Sequence, residues 1–124
     1  MIRREPKPGT KKNPEPGQGH EIVAAELDKM IEEATVDCHD ESEQITGFYT
    51  MLEDNLGLPF ETHVLGVKVM VESIDLTDAE EIVAICKRGQ ARQAIPILHL
   101  PLPERPPRGS EWIEAYQRWA RGRS

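Results

Sequence analysis

Between residues 21 and 56 the sequence carries two helical patterns with no Gly or Pro between them, and at their meeting point four carboxylates crowd into seven residues: Asp37, Asp40, Glu41 and Glu43. This junction constrains the chain more than any other stretch. The first pattern places Val23, Leu27, Met30, Ile31 and Ala34 on one stripe, and the second places Ile45, Phe48, Tyr49, Leu52 and Leu56 on another. A kink or short turn built from polar side chains must therefore separate them near Asp37–Asp40. Like charges at that spacing raise one another's pKa unless a cation, a helix N-terminus or water relieves them.

Two answers to that repulsion can be read from the residues. Asp40 followed by Glu43 fits a reciprocal cap, in which the side chains at the N-cap and at the third helical position satisfy free backbone donors. The other answer is a hard divalent cation, calcium above all, held by side-chain oxygens. At about 100° per residue, Glu41 projects over the apolar stripe one turn before Ile45, and a buried carboxylate needs a partner. Asp37, Asp40, Glu41 and Glu43 are thus the candidate metal ligands.

Charge distribution supports a cation over a polyanion. The net charge is −7, but residues 1–20 carry 5 basic and 2 acidic side chains, whereas residues 21–103 carry 5 basic and 17 acidic. An acidic body repels nucleic acid and anionic membrane. Residues 1–20, with Pro6, Pro8, Pro14 and Pro16, have too little to bury to repay ordering and read as a disordered basic arm. One domain is expected over 21–120, with 121–124 as a tail. There is no apolar leader behind Met1 and no run near 18 apolar residues, so the reading is a soluble, cytoplasmic, monomeric protein with Cys38 and Cys86 as free thiols.

After Pro59 the texture becomes β, with short Val- and Ile-rich runs starting at Phe60, Val67, Glu80 and Ala91 and turn signals at Leu65-Gly66, Thr77-Asp78 and Arg88-Gly89. Strands this few and this short suggest a small closed or half-open barrel. The expected fold is α+β: N-terminal helices packed on a small SH3-like antiparallel β-barrel, with a C-terminal helix. That last helix starts at Ser110-Glu111, presents Trp112, Ile113, Tyr116 and Trp119 on one face, and is expected to clamp onto the barrel.

The stretch from Asp37 to Gly66, together with the spacing of Trp112, Tyr116 and Trp119, resembles the small calcium-binding proteins of the cyanobacterial CcbP type. The resemblance covers roughly residues 37 to 119 and rests on the acidic D-C-x-D-E motif, on Gly47-Phe48 and on Leu58-Pro59-Phe60. It implies helices with a small β-barrel, calcium bound outside any EF-hand, and Asp37, Asp40 and Glu41 as ligands. The basic arm is not implied by it.

The residues themselves agree that any calcium site is irregular. An EF-hand loop needs Gly at its sixth position and a bidentate Glu at its twelfth; counting from Asp37 the twelfth residue is Phe48, and from Asp40 the sixth is Ile45. Carbonyls from Leu65-Gly66 or from the Asp75–Asp78 turn could complete the shell. Zinc lacks paired Cys or His at ligand spacing. No phosphate loop, nucleophile elbow or zinc-protease motif is present, so catalysis is not expected. The function expected is calcium buffering or sensing in calcium homeostasis, and the alternative is an acidic SH3-like interaction module without metal.

Overall fold

The computed structural model describes residues 23–123, and the expected arm over 1–20 lies outside them. Two helices, α1 (Ala24–Ala34) and α2 (Glu41–Asn55), precede four strands, β1 (Phe60–Val64), β2 (Val67–Leu76), β3 (Ile82–Arg88) and β4 (Ala91–Pro96); a 3-10 turn at Ile97–His99 leads to α3 (Ser110–Arg123). The class is α+β.

The strands form an antiparallel meander in the order β1-β2-β3-β4, and β1 and β4 do not pair. The barrel expected from the sequence is therefore an open sheet. Its missing wall is supplied by helices: Phe48 and Leu52 of α2 and Ile113 of α3 are fully buried in the same core as Val71, Ile82 and Ala84 of the sheet. Side chains from α2 and α3 fill the space a closing strand would otherwise enclose.

A bulge explains how β2 keeps one face apolar along its whole length. Alternation from Val67 through Val69 to Val71 would next put Ser73 inward, but the register shifts between Val71 and Ser73. The extra residue reverses the parity, so Ile74 pairs with Ala84 and Leu76 with Ile82 on the helix-covered face. β4 ends sooner than its Ile-rich sequence suggests, because Pro96 has no N–H to continue the ladder.

The helices meet one another more than they meet the sheet. α1 rests chiefly on α3 and α2, and α3 on both helices and the 3-10 turn, so α1 does not plug the sheet and α3 does not clamp a barrel. Phe48 joins α2 to α3, its ring centroid 5.4 Å from that of Tyr116 and 5.3 Å from that of Trp119. α2 ends at Leu56 in an extended conformation, and the Gly57 N–H donates to the Arg108 carbonyl at 2.7 Å. Gly57 thus ties the end of α2 to the start of α3. Next to it Gly109, at φ +83°, lies so close that a Cβ would fall 2.2 Å from the Asn55 carbonyl oxygen.

Arg118 of α3 reaches Asp28 of α1 through a 2.8 Å hydrogen bond, and that bond lowers the Asp28 carboxyl below its usual 3.8. A carboxyl lowered in the folded state stabilises at pH values above its unfolded pKa, and the contribution disappears as pH falls through the folded value. Both side chains are well exposed, so the effect is small. Arg118→Ala should return the Asp28 titration, followed by carboxyl NMR, toward the usual value while moving the melting temperature little at pH 7.

Candidate metal centre

The junction between α1 and α2 is a turn built without glycine. Thr35 closes α1, its hydroxyl donating to the Ile31 carbonyl at 2.7 Å, and Asp37 then adopts a left-handed conformation at φ 62°. Asp and Asn tolerate that region better than most side chains because a short polar group can bond locally. Asp40 is the N-cap of α2 and accepts from the Glu43 N–H at 2.8 Å, and Glu43 reaches back to accept from the His39 N–H at 2.5 Å. This is the reciprocal cap read from the sequence, displaced by one residue on its return leg.

Each cap engages one carboxylate oxygen and leaves the second oxygen of the pair to other donors or a cation. Asp37, Asp40 and Glu43 are all exposed. Glu41 is exposed as well, not pressed into the core as its helical phase suggested. The reason is position: Ile45, one turn later, is the first buried side chain of α2, so Glu41 extends beyond the edge of the core.

There Glu41 lines a groove of about 330 Å³ with Glu80, Glu81, Leu98, Tyr116 and Trp119. The turn between β2 and β3 is held beside α2 because the Ser42 hydroxyl donates to the Glu80 carboxylate, with Glu80 in a left-handed conformation at φ 63°. Negative potential converges on the groove: burial first, then the charges of Glu81 and Glu41, raises the Tyr116 phenol above its usual 10.0. Glu80 and Glu81 were not among the ligands read from the sequence. The Asp75–Asp78 candidate runs from the end of β2 into the same β2–β3 connection, just before them. Leu65-Gly66 lies at the far end of β2, a ten-residue strand, which at roughly 3.3 Å per residue puts it about 30 Å away.

The donor chemistry fits a hard cation, since every charged group at the junction is a carboxylate. Gln44, the next residue along α2, adds a buried side-chain oxygen, Oε1, with no hydrogen-bond partner among the described residues. An oxygen in that condition is normally satisfied by water or an ion. Among the described residues, however, no three His, Cys, Asp or Glu side chains converge as a preformed metal cage. The exposed carboxylates must change rotamer to share an ion, and that ordering opposes binding. Thiol ligation is poorly placed: Cys38 and Cys86 are unbridged, and Cys38 Sγ faces backbone carbonyls, including that of Glu43 at 3.4 Å.

No helix among the described residues is long and apolar enough to cross a membrane. No curated protein and no solved structure matches the chain. A family model described as calcium binding, that of the CcbP type, matches residues 28–120. That span takes in the carboxylate junction, the sheet and nearly all of α3, and the chain belongs to this calcium-binding family.

Proposed function

We propose that this protein binds calcium reversibly at the α1–α2 junction and acts as a buffer or sensor, with Asp37, Asp40, Glu41 and Glu43 as the side-chain ligands and without catalysis. Membership of the calcium-binding family carries the reading. Support within the fold comes from the all-oxygen donor set, the second oxygens left by the two caps, and the orphaned Gln44 Oε1. Few carboxylates and no preformed cage among the described residues imply modest affinity, in the range of sensors and weak buffers and not of tight stores.

Isosteric variants separate ligation from capping. Asp40→Asn keeps the N-cap, since Asn caps as well as Asp, and Asp37→Asn keeps the left-handed turn. Isothermal titration should show saturable calcium heat that Asp37→Asn, Asp40→Asn and Glu41→Gln each weaken, while melting without calcium changes by less than about 0.5 kcal/mol. Magnesium should compete poorly, because flexible carboxylates do not enforce its tight octahedral shell. Saturating calcium at about a hundred times Kd should stabilise the protein by about 2.7 kcal/mol. A flat titration of the unaltered protein refutes the reading and leaves the carboxylates as helix caps on an acidic interaction module.

A further inference from the structure

The groove beside the carboxylate junction gathers negative charge on apolar walls. Glu41, Glu80 and Glu81 rim its space of about 330 Å³, Leu98, Tyr116 and Trp119 wall it, and no basic side chain among the described residues lines it. Glu80 accepts from the Ser42 hydroxyl, a neutral donor, and neither Glu80 nor Glu81 makes an ion pair with another described residue. Arg118 and Arg121 line the neighbouring groove with Asp28 instead, and Arg118 is bonded to Asp28 there.

A lining of this kind suits long basic side chains. The apolar wall takes the methylene stem, the carboxylates take the charged head, and the aromatic faces attract a cation. On open surface the same ion pairs would contribute little, whereas partial burial against Tyr116 and Trp119 strengthens them.

The chain itself supplies that chemistry. Residues 1–20 hold Arg3, Arg4, Lys7, Lys11 and Lys12 against Glu5 and Glu15, while residues 21–103 hold 5 basic and 17 acidic side chains. Opposite charges are thus divided between one segment and the body to which it is joined. Glu41 opens α2, so the groove lies about one α1 length, ~16 Å for 11 residues, from the start of α1. Lys12 precedes Val23 by 11 residues, and a chain of that length spans up to about 36 Å. Lys11 and Lys12 therefore reach the groove with chain to spare, and on a shorter tether than Arg3 and Arg4.

We infer that residues 1–20 dock back on this groove, with the ammonium groups of Lys11 and Lys12 against Glu41, Glu80 and Glu81. A second copy presents the same charges only at its solution concentration, whereas a tethered segment acts at an effective concentration on the order of millimolar. Resting on the calcium reading above, docking also makes the segment an internal competitor for Glu41. Apparent calcium affinity is then reduced by the fraction of molecules whose groove is open.

NMR of the metal-free, full-length protein reads docking with no calcium present. Lys11→Gln combined with Lys12→Gln should shift the Glu81 and Leu98 amide signals and the Trp119 indole N–H. About 0.5 M sodium chloride should move the same signals of the unaltered protein in the same direction, by screening the pairs. Lys29→Gln, on the exposed face of α1, should leave them in place. Unmoved groove signals, shifts confined to Asp37 and Asp40, or shifts that grow with protein concentration would overturn the proposal. In calorimetric titration the double variant should bind calcium roughly threefold more tightly, with the difference vanishing at high salt. Equal calcium affinity in the two proteins overturns the competition. A flat trace from both, with the NMR shifts present, refutes the calcium reading and upholds the docking.

Discussion

Alanine at position 47 is expected to destabilise the protein by about 1–3 kcal/mol, although Gly→Ala in a helix interior ordinarily stabilises by up to about 1 kcal/mol. The reversal comes from the approach of α1. An ideal Cβ on Gly47 would sit 2.1 Å from the Ala34 carbonyl oxygen and 3.2 Å from its carbon. Those are backbone atoms at the last turn of α1, and Ala34 is itself buried, so nothing flexible can yield. Relief requires α1 to move away from α2, and that opens the turn carrying Asp37, Asp40 and Glu43. Urea unfolding should therefore show a lower midpoint at unchanged slope, and calcium titration of the surviving folded fraction should be weaker. Gly122→Ala supplies the control, because nothing lies within 4 Å of a Cβ there and propensity alone should act. If both variants gained stability alike, the close contact between α1 and α2 would be wrong.

What the sequence disclosed was the local part of this arrangement. The helices follow from apolar spacing at Val23 to Ala34 and Ile45 to Leu56, and the cap follows from Asp40 and Glu43 standing three residues apart. Both are contacts within one turn of helix. The open sheet was not legible, because alternation in Val67, Val69 and Val71 reports one buried face and says nothing about whether β1 meets β4. The bulge between Val71 and Ser73 was hidden for a related reason: a run continuing through Glu72 and Ser73 shows its change of parity only against the partner's register. At the candidate site, Glu80 and Glu81 reach the junction through a contact between Ser42 and Glu80 that spans 38 residues. No local periodicity encodes it. Helical phase also misplaced Glu41, since phase gives a direction around the axis but not where along the axis the core stops.

The core stops at the aromatic cluster, and its removal should have the largest effect of any single substitution. Phe48→Ala is expected to cost about 3–5 kcal/mol, from lost burial and the cavity left behind, with about 0.5–1.5 kcal/mol more for each broken ring contact. Phe48 has no exposed surface, and the rings of Tyr116 and Trp119 against it are themselves stacked at 5.8 Å with a 20° interplanar angle. Neither can fill the space without abandoning the other. Because domains of this size hold only about 5–15 kcal/mol in all, the alanine variant should be partly unfolded at room temperature. Phe48→Leu, which keeps most of the volume, should cost roughly half as much and stay folded. Tryptophan fluorescence during urea unfolding follows both, since Trp112 and Trp119 lie on α3. Tyr116 and Trp119 also form the apolar wall of the groove that Glu41, Glu80 and Glu81 rim. Loss of calcium affinity in the folded leucine variant would therefore place the ion in that groove, whereas unchanged affinity would place it on the exposed side of the turn, at Asp37 and Asp40.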